Sequence, residues 1–271
     1  MNKYAVISSN SNLEYATFLP LTALFWKMVG YKTICILTED FFHRTDSGVL
    51  GHVFRHLTEQ PDVRVYTVGE VPGFKSSTVA QVSRLLASAL PIEEDSYLLT
   101  GDVDMLPLSP GWFNQQDFGA SFHVFNADAY GSMARRNFPI CYLGGTRVAW
   151  KSLMGLGNDS LTNELSVMLQ GSKDHWFVDE GLIAAKMQAW PLFDTSQLLT
   201  RGWDASQGGY ASYRLDRGNW HLPSDLSSLI DCHSARPLID HWDVIGRLVA
   251  HFLPADSREL AQTYVQRLLC F

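Results

Sequence analysis

The first hundred residues alternate short apolar runs with segments of helical periodicity, and this alternation restricts the folds open to the chain. Short apolar runs bounded by turn residues are typical of buried strands, and the amphipathic segments between them are typical of helices. Strands that alternate with helices form a mostly parallel sheet with helices on both faces, so the sequence predicts an α/β fold. The predicted strands are residues 4–9, 32–37, 63–68 and 97–100, and the predicted helices include residues 13–29 and 76–90.

The second half of the chain has a less regular pattern. It predicts strands at 119–125 and 139–143, helices at 161–169, 180–190, 244–253 and 257–269, and a long loop at 200–222. The sequence contains no internal repeat, low-complexity tract or linker. Because 271 residues suffice for a self-sufficient core, we predict a single domain over residues 1–271.

Charge and composition exclude several classes of protein. A net charge of −7 argues against a general nucleic-acid binder, which needs a basic surface to replace phosphate counterions. The four cysteines contain no C-x-x-C pair, so neither a structural zinc site nor a disulfide framework is expected. The chain opens without a secretory signal and has no run of about 20 apolar residues. The sequence therefore predicts a cytoplasmic protein without a transmembrane segment.

The strongest chemical motif is Gly-Asp-Val-Asp-Met, which directly follows the predicted strand at 97–100. Asp102 and Asp104 stand two residues apart, so their carboxylates could converge on one hard cation such as Mn²⁺ or Mg²⁺. Such an ion neutralises charge on a diphosphate leaving group. The tripeptide alone is better explained by a solvated turn before a helix. The strand, the glycine turn and Pro107 favour the metal site.

This arrangement resembles the glycosyltransferase A fold, and in particular the family of glycogenin and the bacterial lipopolysaccharide galactosyltransferases. In that family a helix carrying an Arg-Leu pair precedes the strand and its Asp-x-Asp, as Arg84 and Leu85 do here. The resemblance implies a nucleotide-sugar-binding half over 1–110 and an acceptor-side half with C-terminal helices over 111–271. It also implies that Arg84 lies near the nucleotide or the motif carboxylates, although a solvated helix charge is the plain alternative.

The resemblance further implies that the first strand leads into a loop that binds the nucleotide. In this chain Ser8, Ser9 and Asn10 occupy that loop, and Tyr15 follows it. Serine and asparagine can bond a uracil edge or a ribose, and an aromatic ring can stack on a base. Packing within a helix explains Tyr15 equally well. With Asp102, these residues and Arg84 form the expected nucleotide site.

A late histidine followed by a basic residue and proline supplies a metal ligand in the family. The matching segment here contains His233, Arg236 and Pro237, without the family's glycine and tryptophan. The resemblance therefore implies that His233 joins Asp102 and Asp104 around the metal, and that Arg236 contacts the diphosphate or a sugar. A structural histidine is the alternative.

An acidic pair, Asp179 and Glu180, begins the predicted helix after the metal motif. Capping and the helix dipole would explain the pair without any function. Proteins of this fold place a polar or acidic residue here, facing the acceptor sugar. In an inverting enzyme one of the two carboxylates would accept the proton of the acceptor hydroxyl. In a retaining enzyme it would position the acceptor or stabilise an oxocarbenium-like state. The sequence does not distinguish between them.

Three further residues are expected near the donor or acceptor sugar. Gly144 and Gly145 would let the backbone approach a sugar closely, unless they form an ordinary tight turn. Asn126 follows a predicted strand and could touch the donor. The segment 213–220 is dense in sugar-compatible groups, and a self-satisfied salt-bridged loop would have the same composition.

The sequence thus predicts a metal-dependent glycosyltransferase. Its expected donor is a nucleoside-diphosphate sugar, in particular a UDP-sugar, and its expected acceptor is a glycan, glycoconjugate or other hydroxyl compound. No Walker-type, G-x-S-x-G or H-E-x-x-H motif points to another chemistry. Two alternatives remain. One is a sugar-nucleotide nucleotidyltransferase, and the other is a non-catalytic carbohydrate-binding protein on the same fold.

Overall fold

A computed structural model describes residues 1–43, 48–128, 139–157, 159–200 and 213–271. Its strands are β1 Lys3–Ser9, β2 Lys32–Thr38, β3 Val63–Val68, β4 Tyr97–Thr100, β5 Met105–Pro107, β6 His123–Phe125, β7 Leu143–Thr146, β8 Gln197–Leu199, β9 Arg214–Asp216 and β10 Asp231–His233. Its helices are α1 Leu13–Ala16, α2 Leu19–Met28, α3 Glu39–Phe42, α4 Gly48–Thr58, α5 Ser76–Ser83, α6 Pro110–Phe113, α7 Arg147–Met154, α8 Leu161–Leu169, α9 Val178–Ala189, α10 Trp242–Phe252 and α11 Ala255–Leu268.

Most of these strands form one mixed sheet. Over the described residues its order is β3-β2-β1-β4-β7-β6-β8. The four strands from β3 to β4 run parallel, whereas β7 is antiparallel to both β4 and β6. This confirms the predicted α/β class with a mostly parallel sheet. The carboxyl ends of β1, β2 and β4 consequently open onto the same edge, where ligands of such sheets bind.

The apolar strand runs follow from burial of the sheet on both faces. Successive side chains of a strand point to opposite faces. In β1, Ala5 and Ile7 belong to one buried apolar cluster, and Tyr4 and Val6 belong to another. Helices α2 and α11 contribute to the first cluster, and α5 and α9 contribute to the second. A strand covered on both faces must be apolar throughout, which explains why the sequence pattern was so clear.

A second, smaller sheet brings a late segment of the chain beside the Asp-x-Asp motif. Its order is β5-β10-β9. Antiparallel pairing of β10 with β5 places His233 opposite Met105, the residue after Asp104. The backbone NH of Ser234 also donates a hydrogen bond of 2.8 Å to the carbonyl oxygen of Asp104. This pairing positions the predicted third metal ligand.

Several predicted boundaries change for identifiable reasons. The helix expected at 13–29 divides into α1 and α2, and Pro20 lies in the first turn of α2, where a missing NH costs nothing. The helix expected at 76–90 tightens into a 3₁₀ helix after Ser83. The prediction of a strand at 139–143 was wrong, because Tyr142 has a φ of 70° and β7 begins only at Leu143.

The sequence analysis missed four short strands, β5, β8, β9 and β10, and four helices, α3, α4, α6 and α7. The strands β5, β8 and β10 have three residues each, too few to establish a period. The strand β9 lies within the segment expected to be a loop, of which residues 201–212 lie outside the described residues. In the ranges that the structure covers, no helix combines the length and apolarity needed to cross a bilayer.

An ion pair joins β3 to the turn before β4. The guanidinium of Arg64 donates to both carboxylate oxygens of Glu93, at 3.1 and 2.6 Å, and the hydroxyl of Tyr4 donates to the same carboxylate at 2.9 Å. The bond from Arg64, helped by backbone and Tyr4 hydrogen bonds, lowers the pKa of Glu93 from 4.5 to about 2. A carboxyl with a lowered pKa stabilises the fold above its ordinary pKa, and this stabilisation is lost as pH falls through the folded-state pKa.

We therefore predict a pH-dependent effect of Glu93→Gln. The variant should unfold more easily than the unmodified protein at pH 6. The difference should shrink between about pH 4.5 and pH 2, where Glu93 itself becomes protonated. Urea unfolding across this range measures the effect, with the exposed Glu259→Gln as the control. A difference that stayed constant down to pH 2 would contradict the prediction.

Candidate active site

A large pocket opens at the carboxyl ends of β1 and β4. Its volume is about 1050 Å³, which suits a ligand of nucleotide-sugar size. Ten of the residues singled out from the sequence line it: Ser8, Ser9, Asn10, Tyr15, Arg84, Asp102, Asp104, Asp179, Glu180 and His233. The fold thus brings five separate segments of the chain together around one cavity.

Asp102 stands at the turn that follows β4. Glycine at position 101 leaves room for the ring of Trp26, because a Cβ there would lie 3.0 Å from that ring and force a shift of a few tenths of an ångström. The guanidinium of Arg84 donates from Nη1 to a carboxylate oxygen of Asp102 and, at 2.9 Å, to the carbonyl oxygen of Gly101. Burial would raise the pKa of Asp102, but the charge and hydrogen bond of Arg84 outweigh it and the net shift is downward. Asp102 is therefore held as a carboxylate.

Asp104 is more deeply buried, with 4% of the residue exposed. Its Oδ2 has no hydrogen-bond partner among the described residues. Three basic side chains approach this oxygen at longer range: Arg236 Nε at 3.4 Å, Arg217 Nη1 at 3.6 Å and His233 Nε2 at 3.7 Å. Burial, reinforced by the charge of Asp102, raises the pKa of Asp104 despite these neighbours. A buried carboxylate oxygen without a hydrogen-bond donor favours a bound cation at Oδ2.

The imidazole of His233 is oriented by a second carboxylate. Its Nδ1 lies 3.1 Å from Oδ2 of Asp216 in β9, and its Nε2 faces Asp104. A carboxylate that accepts the Nδ1 proton leaves Nε2 as an unprotonated ligand, which is the usual arrangement behind a metal-bound histidine. Burial would raise the pKa of Asp216, but the hydrogen bond from His233 outweighs it and the net shift is downward.

These groups can be tested against the metal that the resemblance implies. Two ligand atoms about 2.1 Å from one octahedral cation are about 3.0 Å apart when adjacent and about 4.2 Å apart when opposite. The separation of 3.7 Å between Asp104 Oδ2 and His233 Nε2 lies between these two distances, so a small side-chain adjustment would bring both atoms to one cation, and the buried oxygen lacks a donor. Asp102 stands beside them with one oxygen bound by Arg84. These residues fit a divalent ion, although no described group of three His, Cys, Asp or Glu side chains is already gathered around one point.

The loop after β1 is held by an aspartate that the sequence analysis missed. Oδ2 of Asp40 accepts hydrogen bonds from the hydroxyls of Ser11 and Ser76, at 2.7 and 3.1 Å. Ser76 in turn accepts a bond of 3.1 Å from the side-chain amide of Asn10. The hydroxyl of Ser8 donates to the carbonyl oxygen of Ala80 at 2.7 Å. Asp40 closely follows β2, so the sequence could have identified it from its position at the sheet edge that β1, β2 and β4 share.

The acidic pair lies in the first turn of α9. Asp179 is 3% exposed, and its Oδ2 accepts a hydrogen bond of 3.3 Å from Nη2 of Arg84. Its Oδ1 accepts the backbone NH of Glu180 at 2.8 Å. Burial raises the pKa of Asp179, against the opposing charge of Arg84. Arg84 thus bridges the Asp-x-Asp motif and α9, an arrangement more specific than the solvated helix charge considered from the sequence.

Three residues expected near a sugar lie away from the pocket lining. Gly144 and Gly145 belong to β7, where added Cβ atoms would lie 2.0 Å from Oη of Tyr97 and 2.6 Å from the ring of Phe122. These glycines therefore make room for buried aromatic side chains of the sheet. Asn126 is 1% exposed, with a φ of 57°, in the turn after β6.

Arg236 also lies outside the lining, but it contacts two residues within it. Its Nε approaches Asp104 at 3.4 Å, and its guanidinium carbon lies 4.0 Å from the centroid of the Tyr15 ring. The sequence analysis placed Tyr15 against the nucleobase. In the structure a cation covers one face of that ring.

The pocket also contains residues that the sequence analysis did not commit to. Trp176 and Phe177, just before α9, are 56% and 60% exposed at its rim. Arg214 lines it while bonding Asp231 through two hydrogen bonds of 2.9 and 2.8 Å. The segment 213–220 is therefore both salt-bridged and part of the pocket, which combines the two alternatives left open by its composition.

The architecture defines the class of fold. A mostly parallel sheet bears an Asp-x-Asp turn at the carboxyl end of β4, and an antiparallel strand β7 pairs beside it. This is the glycosyltransferase A fold, and comparison with solved structures confirms the predicted resemblance. No protein-family model and no curated protein sequence matches the chain.

Two solved structures illustrate the likeness. The apo form of the glycosyltransferase GlyE from Streptococcus pneumoniae TIGR4 is 12% identical and matches with a TM-score of 0.52. The match covers 99% of this chain and 64% of GlyE. An active-site mutant of LgtC is 11% identical and matches with a TM-score of 0.51, over 95% of this chain and 99% of LgtC. At these identities the likeness shows the fold, and the chemistry must be argued from the pocket.

Proposed function

We propose that this protein is a metal-dependent glycosyltransferase. It would move a sugar from a nucleoside-diphosphate sugar, specifically a UDP-sugar, to a hydroxyl of a glycan or other acceptor. One observation carries the proposal: Asp102, Asp104 and His233 line the same pocket at the sheet edge, with basic side chains around the buried Oδ2 of Asp104. We further propose that residues 1–110 form the nucleotide-sugar half and residues 111–271 the acceptor half.

The donor side follows from the charges of these residues. Asp104 and His233, joined by Asp102, would hold Mn²⁺ or Mg²⁺. That ion would neutralise charge on the departing diphosphate. Arg236 and Arg217 approach the same oxygen of Asp104 and are proposed to contact the phosphates. Asp216 would keep the proton of His233 on Nδ1, so that Nε2 stays available as a ligand. Ser8, Ser9 and Asn10 line the part of the pocket proposed for the nucleoside.

Residues in the first turn of α9 would contact the acceptor. The carboxylate of Asp179 accepts hydrogen bonds from Arg84 and from the backbone NH of Glu180, so it would position the start of α9. Glu180 also lines the pocket, one residue further along the helix. We propose that Glu180, which lines the pocket at the start of α9, faces the acceptor hydroxyl, orienting it or accepting its proton. Arg84 and Asp179 would fix the helix end that carries it.

Ligand binding offers the most direct test. Nucleoside diphosphates are added to the protein with Mn²⁺ and the shift of the unfolding transition is recorded. We expect UDP with Mn²⁺ to stabilise the fold, by about 2.7 kcal/mol at 100 times its dissociation constant. Chelation with EDTA should remove most of the shift. The same assay with uridine separates binding through the base from binding through the diphosphate.

The outcome also discriminates the alternatives. If no nucleoside diphosphate stabilises the protein in the presence of Mn²⁺, the proposal fails. A sugar-nucleotide nucleotidyltransferase would instead release pyrophosphate from a nucleoside triphosphate and a sugar phosphate. A carbohydrate-binding protein would bind ligand but release no UDP from a UDP-sugar, with or without acceptor.

A further inference from the structure

The ring of Tyr15 and the guanidinium of Arg236 form a contact between the two ends of the chain. The guanidinium carbon lies 4.0 Å from the ring centroid, well within the range of a cation–π interaction. The same guanidinium reaches Asp104 Oδ2 through Nε at 3.4 Å. Arg236 therefore lies between a buried carboxylate and an aromatic ring.

This contact limits what the Tyr15 ring can do. One of its faces is covered by Arg236, and the ring also packs against the larger buried cluster beside α2. A nucleobase that stacked on the covered face would have to displace Arg236 and forfeit the cation–π energy. A base-stacking role for Tyr15 therefore opposes the observed packing.

Arg236 needs a partner of this kind if it is to act on phosphate. A free arginine loses much rotamer freedom when it is fixed, and a planar guanidinium that is already stacked loses less for each hydrogen bond it forms. The Arg236 side chain is only 18% exposed, held by Tyr15 on one side and Asp104 on another. The remaining donors of its guanidinium can serve an anion beside Asp104.

We propose that Tyr15 is a positioning residue that holds Arg236 for the diphosphate, and that it is not the platform for the nucleobase. This inference rests on the proposed function, because it assigns Tyr15 a part in donor binding. It makes a distinctive prediction. Loss of the ring should weaken binding of phosphates and leave binding of the nucleoside unchanged.

The test measures the dissociation constants of uridine, UMP and UDP by calorimetry in the presence of Mn²⁺. Tyr15→Leu should weaken UDP binding by about tenfold, the effect of losing a partly desolvated cation–π contact, and leave uridine binding unchanged. Tyr15→Phe keeps the ring and should bind all three ligands like the unmodified protein. In an Arg236→Gln background, Tyr15→Leu should have no further effect on UDP binding.

A second variant protects the test against misfolding. Fluorinated phenylalanines at position 15 keep the shape of the ring and progressively weaken its attraction for a cation. We expect the affinity for UDP to fall stepwise with fluorination while the affinity for uridine stays constant. Equal loss of uridine and UDP affinity in Tyr15→Leu would overturn the inference and restore base stacking. Unchanged UDP affinity would overturn it too. An unmodified protein that binds none of the three ligands would instead remove the proposed function itself.

Discussion

Asp104→Asn should abolish sugar transfer while leaving the fold intact. The substitution removes the charge of a deeply buried carboxylate in the pocket and weakens the proposed metal site, so we expect UDP-sugar turnover to fall by about 100-fold or more. The same substitution should not lower the stability of the fold. Burial raises the pKa of Asp104, so the charged form costs free energy in the folded protein at neutral pH. Without ligands, the variant should be at least as stable as the unmodified protein.

This combination of results separates a functional role from a structural one. Release of UDP measures turnover, titration with Mn²⁺ measures metal affinity, and urea unfolding measures stability. The matched control is Asp256→Asn, the same chemical change on an exposed carboxylate in the first turn of α11. It should leave turnover and metal affinity unchanged. If Asp104→Asn keeps full turnover, Asp104 is not a metal ligand and the proposed mechanism is wrong.

Arg84→Met should produce the largest loss of stability among these variants. Arg84 is buried and bridges Asp102 and Asp179, so its removal leaves two carboxylates in the pocket wall without their guanidinium partner. Breaking a buried ion pair from one side costs about 3–5 kcal/mol, because an uncompensated charge stays behind. We expect a decrease of this size in the free energy of unfolding at pH 7.

The physical cause can be isolated with a second substitution. Adding Asp179→Asn to Arg84→Met removes the more deeply buried of the two stranded charges and should restore a substantial part of the stability. The exposed Arg55→Met serves as the matched control and should change the free energy of unfolding by no more than about 0.5 kcal/mol. If Arg84→Met falls within that same limit, or if the second substitution restores nothing, the bridge does not stabilise the fold.

Local patterns predicted the framework of the site well. The apolar runs identified β1, β2 and β4 because these strands are buried on both faces and are therefore mostly apolar, whereas β3 at the sheet edge is only half-buried. The glycine turn and the two aspartates after β4 marked the sheet edge where ligands bind. Arg84 was also identified from the sequence, because the resemblance to the glycosyltransferase A fold implies an Arg-Leu helix before the motif.

Residues whose role depends on distant packing were harder to predict. Gly144 and Gly145 look like a loop in sequence, and only the positions of Tyr97 and Phe122 show why glycine is needed there. The aromatic side chain of Tyr15 suggested base stacking from the sequence, but in the structure its ring lies against Arg236. In both cases the contacting side chain is distant in sequence, so local periodicity does not indicate the contact.

The sequence by itself determined the parallel α/β sheet and the place of Asp102 and Asp104 at its edge. Both follow from interactions between near neighbours in the chain, namely strand burial and the turn after β4. Only the tertiary structure decided that His233 stands 3.7 Å from Asp104, that Asp216 orients it and that Arg84 reaches Asp179. Those contacts arise from the pairing of three-residue strands and the docking of α9. The strands are too short to be specified by their own sequence, and the position of α9 is fixed by the core against which it packs.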